Sequence, residues 1–138
     1  MILNKENLAN INGEKVSKPS DEILTLPEKV IQFGTGVLLR GLPDYFIDKA
    51  NQKGVFNGRV LVVKSTSRGG ADEFAKQDNL YTLCVKGIED GVSVEENSIN
   101  ASISRVLSAS SPYRVYLFFS GQTSGAPFHR KTPAAFPV

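Results

Sequence analysis

Hydrophobic residues in this chain fall into short runs separated by glycine-rich and polar stretches. Residues 29–33 and Arg59–Lys64 form two apolar, β-branched runs, which are typical of strands buried on both faces of a parallel sheet. Between them, apolar residues recur at helical spacing from Leu42 to Ala50. The pattern predicts a strand–helix–strand unit, whose right-handed crossover makes the two strands parallel.

Pro43 limits where the helix can begin. Proline is tolerated in the first helical turn and is costly further in, because it lacks an N–H group. We therefore expect the helix to begin near Gly41 or Leu42 and to end by Gly54. The glycine-containing loop before it would then be longer than a minimal strand-to-helix turn.

The rest of the chain reads as a short helix followed by β-structure. Residues 71–77 predict the helix, and residues 80–88 and 92–95 predict two strands joined by Asp90-Gly91, a strong hairpin signal. In residues 99–107 apolar and polar residues alternate again, as they do in residues 92–95. From residue 108 to residue 138, serine, proline and glycine make up 11 of 31 residues, and only residues 115–119 predict a strand.

Composition narrows the function classes. The chain has 138 residues, which is the size of one domain. Hydrophobic residues make up 41% of it and charged residues 22%, a composition that excludes a disordered chain. No apolar run is long enough to span a bilayer. The net charge is −2 up to Glu96 and +4 beyond it, and four scattered cations are no footprint for nucleic acid.

The single cysteine bears on compartment and metal chemistry. Cys84 cannot form an internal disulfide, and no Cys/His cluster predicts a metal site. We therefore expect a cytoplasmic protein. Within its predicted strand Cys84 is expected to be a small buried hydrophobe, and the lone His129 is expected on the surface.

Gly34-Thr35-Gly36 is the feature that most clearly indicates chemistry. A glycine pair directly after a buried strand lets a dinucleotide pyrophosphate approach the backbone, and Arg40 would be a second donor to the anion. Leu39 stands where the third glycine of G-x-G-x-x-G is usual. The alternative interpretation is a tight turn followed by a solvated arginine.

The end of the second predicted strand leaves the choice of dinucleotide open. NAD-specific domains often have an acid here for the adenine ribose, whereas this chain has Lys64 followed by hydroxyl residues. The hydroxyls of residues 65–67 could bind the ribose, and Lys64 and Arg68 could accept a 2′-phosphate. A solvated loop is the alternative.

Residues 32–41, with the aromatic-rich segment 45–51, resemble the N-terminal signature of the polyol (mannitol) dehydrogenase family. Residues 62–69, 81–87 and 95–105 resemble the branch whose members interconvert tagaturonate and altronate. The resemblance implies an incomplete Rossmann-like α/β domain with a parallel sheet and an added hairpin. It also implies NAD as cofactor, a small sugar acid as substrate, hydride transfer, and no metal.

The resemblance also implies a division of the chain. Residues 1–27 would be an N-terminal arm, 28–109 the dinucleotide-binding domain, and 110–138 an atypical tail. Family members carry their catalytic lysine, Asn and His in a further helical domain, and their Asn-Thr-Thr-Glu-x-Gly stretch is not reproduced at residues 120–125. No catalytic residue is therefore assigned, and the chain alone is expected to be inactive.

The alternatives are another reductase of the family, for fructuronate or mannitol, and a non-catalytic nucleotide-binding remnant. The predicted cofactor-binding residues are Gly34, Thr35, Gly36, Arg40, Ser65, Thr66 and Ser67.

Overall fold

A computed structural model describes residues 2–64 and 71–108, with the side chains of 71–73 left aside. In chain order the elements are a 3-10 turn (Leu8–Asn10), α1 (Asp21–Leu24), β1 (Glu28–Phe33), α2 (Val37–Gly41), α3 (Pro43–Gln52), β2 (Arg59–Lys64), α4 (Ala71–Lys76), β3 (Tyr81–Glu89), β4 (Val92–Asn100) and β5 (Ile103–Ser108). Strands β1, β2 and β5 form a parallel sheet in the order β1-β2-β5, and β3 pairs with β4 as an antiparallel hairpin. The predicted α/β architecture is confirmed.

The central strand of the sheet is β2. Every residue of β2 is buried, as expected for a strand covered on both faces. Strand β1 differs, because in the described part of the chain it pairs only with β2. Phe33 is 70% exposed, so the prediction that β1 is buried on both faces is wrong for this part of the chain.

The helix between β1 and β2 is broken by Pro43. Helix α2 begins at Val37, directly after Gly36, and α3 begins at Pro43 itself. The prediction of a longer glycine loop is therefore wrong. Pro43 does occupy the first turn of a helix, but a separate short helix precedes it, with Leu42 (φ −122°, ψ −80°) at the junction.

Helix α3 buries a polar face. Asp44, Asp48 and Asn51 are at most 5% exposed, whereas Phe46 is 59% exposed. Phe46, one of the apolar residues whose spacing predicts this helix, therefore does not belong to its buried face. Spacings of four and three residues place the three polar side chains on one side of the helix.

The polar face of α3 fixes neighbouring backbone. Asp48 Oδ1 accepts the Ala101 N–H at 2.9 Å. Asn51 donates from Nδ2 to the Gly58 carbonyl at 2.7 Å and accepts the Gly58 N–H at 3.0 Å. Asp48 and Asn51 therefore supply hydrogen-bond partners to backbone groups in the loops that precede β2 and β5.

Replacing Asn51 with alanine is expected to destabilise the fold by about 1–3 kcal/mol, because both Gly58 backbone groups lose their partner in a buried place. Urea denaturation measures the change. Asn97→Ala is the matched control, since the Asn97 amide makes only a 3.5 Å exposed contact to Glu95. Equal destabilisation by both variants would contradict the role given to Asn51.

The hairpin extends beyond the body of the domain. Asp90 (φ 50°) and Gly91 (φ 78°) form the predicted turn. Tyr81 is buried, but β3 from Cys84 onward is exposed, so the prediction of a buried Cys84 is wrong. The alternating run at 99–107 divides between the end of β4 and the third parallel strand, β5.

The N-terminal segment packs on the same body. Leu8 and Ile23 are buried in one cluster with Leu80, Ile99 and Ala101. Ser17 joins the base of β4 through two backbone hydrogen bonds, donating to the Asn97 carbonyl (2.9 Å) and accepting from Ile99 (2.8 Å). The division into arm, domain and tail stays a prediction.

Candidate dinucleotide-binding site

The glycine loop lies at the carboxyl end of β1. The Gly34 N–H extends the sheet ladder by donating to the Val63 carbonyl at 2.8 Å. Gly34 then takes φ +105°, a conformation that side chains strongly disfavour, and the chain turns away from the sheet. Ligands of α/β sheets bind outside this end of the strands.

The loop leaves backbone donors open. The amides of Thr35 and Gly36 donate to no group in the described part of the chain, and no side chain caps α2 at Gly36. A Cβ atom built on Gly36 would meet nothing within 4 Å. The open amides and the free space beside Gly36 together suit the close approach of an anion.

Gln32, near the end of β1, joins the glycine loop to α3 through its side chain. Its Nε2 atom donates to the Gly34 carbonyl and to Asp44 Oδ2, both at 3.3 Å. The Asp44 carbonyl in turn accepts Asn100 Nδ2 at 3.1 Å. This chain of contacts links the glycine loop to α3 and to the base of the hairpin.

Arg40 is half-buried rather than solvated. Its guanidinium lies over the rings of Phe74 (5.2 Å) and Tyr81 (5.9 Å), and its Nε atom is buried without a hydrogen-bond partner among the described residues. The Arg40 carbonyl accepts the Tyr81 hydroxyl at 2.9 Å. The aromatic contacts hold a positive charge within the turn that follows the glycine loop.

A buried polar cluster beneath the loop was not predicted from the sequence. Asp44, Asn100 and Ser102 are at most 1% exposed, and Asp44 Oδ1 has no partner in the described structure. Burial raises the pKa of Asp44 to about 6, against the opposing effects of the Gln32 hydrogen bond and the Arg40 charge. Burial also raises the pKa of Tyr81, and the Asp44 charge adds to this. In the sequence, only the four- and three-residue spacing of Asp44, Asp48 and Asn51 indicates that α3 has a polar face, to which Asp44 belongs.

The raised pKa of Asp44 predicts a pH-dependent stability. The folded state binds this proton more tightly than the unfolded chain, whose carboxyl has the ordinary value of 3.8. Protonated Asp44 therefore stabilises the folded state fully below about pH 4, and this stabilisation is lost as the pH rises through about 6. The free energy of unfolding falls by at most about 3 kcal/mol over this range. Relative to Asp44→Asn, the wild type should therefore lose stability from pH 4 to 7.

Urea denaturation of both proteins across this range measures the difference. Arg40 and Tyr81, the ionisable groups that face Asp44 from α2 and β3, are the same in both proteins, so the difference isolates Asp44. A constant difference from pH 4 to 7 would contradict the prediction.

The remaining predicted cofactor-binding residues are not among the residues that the structure describes. Ser65, Thr66, Ser67 and Arg68, and everything from residue 109 on, including His129, fall outside the described residues. Lys64 is buried at the end of β2. In the described ranges, no group of three metal-ligating side chains could hold a metal ion, and no helix there has both the length and the apolar character needed to cross a bilayer.

Sequence comparison places the chain beside known oxidoreductases. It is 45% identical over 83 residues to an altronate oxidoreductase of Halalkalibacterium halodurans, covering 59% of this chain and 16% of the relative. It is 43% identical over 96 residues to that of Bacillus subtilis, covering 70% of this chain and 20% of the relative. The chain is similar to a segment of altronate oxidoreductases. It spans about one fifth of their length, and no protein family model matches it.

Solved structures agree with this similarity to altronate oxidoreductases. The Pseudomonas fluorescens mannitol 2-dehydrogenase ternary complex with NAD and D-mannitol superposes with a TM-score of 0.73 at 26% identity, covering 86% of this chain and 24% of that chain. A D-sorbitol dehydrogenase in substrate-free form matches with a TM-score of 0.69 at 21% identity, covering 83% and 24%. The described fold is therefore of the Rossmann type found in polyol dehydrogenases.

Proposed function

We propose that the chain binds NAD(H) at the glycine loop, as the cofactor-binding part of an oxidoreductase that interconverts tagaturonate and altronate. The open backbone at Thr35 and Gly36 carries the proposal, because it offers two amide donors beside a position without a side chain. Similarity to altronate oxidoreductases supports the substrate class. The NAD-bound mannitol 2-dehydrogenase supports the choice of cofactor.

The chain's own residues would hold the cofactor through its pyrophosphate. The amides of Thr35 and Gly36 would donate to the phosphate oxygens, and the missing side chain at Gly36 would permit the approach. Arg40, held over two aromatic rings, adds positive charge near the loop. Ser65, Thr66 and Ser67 are proposed to bind the adenine ribose. Bound NAD(H) would supply the hydride acceptor or donor.

The proposed reaction also needs a group that exchanges a proton with the sugar-acid oxygen. The buried polar side chains here are engaged with backbone or lie beneath the loop, so none is assigned to protonate a sugar-acid carbonyl. The chain alone is therefore proposed to bind the dinucleotide without turning substrate over.

Two assays on the purified chain test this proposal. NADH fluorescence titration should show saturable binding, and NADPH in parallel tests the preference for NAD. Addition of tagaturonate should then give no NADH oxidation above the buffer rate. Absence of NADH binding would overturn the cofactor role, and measurable oxidation would overturn the expected inactivity.

A further inference from the structure

We propose that Gln32 and Asp44 are positioning residues, which fix the direction of the Thr35 amide so that the glycine loop is organised before the cofactor arrives. The inference rests on the proposed function of the loop. It starts from a contact that no sequence motif contains: a buried glutamine that joins the Gly34 carbonyl to a buried carboxylate.

The peptide unit between Gly34 and Thr35 sets the direction of the Thr35 N–H. A trans peptide is planar, so the carbonyl of Gly34 and the N–H of Thr35 point in opposite directions. Gln32 holds the Gly34 carbonyl on the side of the buried cluster. The Thr35 N–H is therefore turned away from the cluster, where it has no partner in the described structure and can donate to a phosphate oxygen.

Two hydrogen bonds hold the side chain of Gln32. An amide nitrogen carries two hydrogens, so Nε2 can donate to the Gly34 carbonyl and to Asp44 Oδ2 at once. Gln32 itself is only 9% exposed, and Asp44 is fully buried. Asn100 binds the Asp44 carbonyl and fixes the start of α3. The Gln32 amide is thus fixed in orientation by two acceptors.

The glycine loop needs this support because its glycines restrict the backbone little. Gly34 has φ +105°, and Gly36 has no neighbour within 4 Å of its Cβ position. Glycines have many accessible conformations, and ordering them during binding would weaken affinity. A hydrogen bond that orders the loop beforehand removes part of that cost.

Gln32→Met tests the proposal, since it keeps the length of the side chain and removes both donors. We expect a rise in the dissociation constant for NADH of roughly fivefold or more, and a shifted Thr35 amide resonance in the free protein. Gln52→Met is the matched control. Gln52 Nε2 donates to Asp48 Oδ2 at 2.6 Å, which is also an amide-to-carboxylate hydrogen bond, with an acceptor one helical turn beyond Asp44 on α3. Its affinity for NADH should stay within about twofold of wild type.

Asp44→Asn and Asp44→Leu separate positioning from general stability. Asparagine retains an oxygen acceptor for Gln32 and should preserve NADH affinity, whereas leucine should weaken it as Gln32→Met does. Equal weakening by Asp44→Asn and Asp44→Leu, or by Gln32→Met and Gln52→Met, would overturn the proposal.

The Thr35 resonance is measured without ligand, so it tests the positioning role independently of cofactor binding. Failure of NADH to bind the wild type would refute the proposed function separately. An unshifted Thr35 resonance in Gln32→Met would refute the positioning role.

Discussion

Gly36→Asp is expected to weaken NADH binding by roughly 100-fold or more while leaving the fold intact. The new carboxylate would lie in the open space beside the Thr35 and Gly36 amides, where it would exclude the pyrophosphate and repel its charge. Gly36 has an ordinary φ of −61°, so aspartate is accommodated without backbone strain. Fluorescence titration with NADH measures the loss, and thermal unfolding measures the fold.

Gly87→Asp is the matched control for this experiment. Gly87 lies in the exposed hairpin, and a Cβ there also meets nothing within 4 Å, so the same charge is added in open space away from the loop. It should leave NADH affinity unchanged. Gly34 would be a poor substitute for Gly36, because any side chain at φ +105° strains the backbone and mixes stability with binding. Undiminished NADH binding by Gly36→Asp would show that the cofactor does not use this loop.

Arg59→Met is expected to destabilise the fold by at least about 3 kcal/mol. Arg59 is 4% exposed, and its guanidinium donates to three backbone carbonyls. The acceptors are Leu24 (2.8 Å), Ala101 (3.0 Å) and Ile103 (2.6 Å). Methionine fills much of the space but removes the donor from all three carbonyls, of which those of Ala101 and Ile103 are buried and that of Leu24 is partly buried. Urea denaturation at neutral pH measures the loss.

The position of Arg59 explains the size of this effect. Its three partners belong to the end of α1, the loop after β4 and the first residue of β5, so one side chain joins the N-terminal segment to the sheet. Lys86→Met is the control for removal of a cation. Lys86 pairs with Glu95 at 3.1 Å on the exposed hairpin, and its removal should leave the denaturation midpoint unchanged. A small effect of Arg59→Met would contradict the structural role given to these bonds.

Local signals in the sequence predict the framework of this fold. Apolar runs bounded by glycine or charge mark β1 and β2, and Asp90-Gly91 marks the hairpin turn. The parallel pairing of β1 with β2 follows from the helical crossover between them. These features depend on neighbouring residues or on one handedness rule, so a single sequence carries them.

Features that depend on tertiary neighbours could not be predicted in this way. The alternating run at 99–107 does not reveal that its second half leaves the hairpin and pairs with β2. Cys84 has the residue type of a core position, but its strand extends past the body it would pack against. The polar face of α3 is buried because backbone groups of Gly58 and Ala101 lie opposite it, which helical periodicity alone does not disclose.

The candidate site divides in the same manner. Gly34 and Gly36 are recognisable because a glycine pair after a strand has few structural reasons to exist other than a turn or a close approach. Gln32 and Asp44 are twelve residues apart, and their contact with the loop exists only once α3 has packed. Arg40 was predicted as a charge near the loop, but its contacts with Phe74 and Tyr81 come from α4 and β3.

Titration of the ¹⁵N-labelled chain with NADH, followed in ¹H–¹⁵N spectra, shows residue by residue whether the glycine loop binds the dinucleotide. We expect saturable shifts that are largest at the Thr35 and Gly36 amides, with none at Gly87 in the hairpin. Unchanged Thr35 and Gly36 resonances at saturating NADH, or largest shifts in the hairpin, would contradict this expectation.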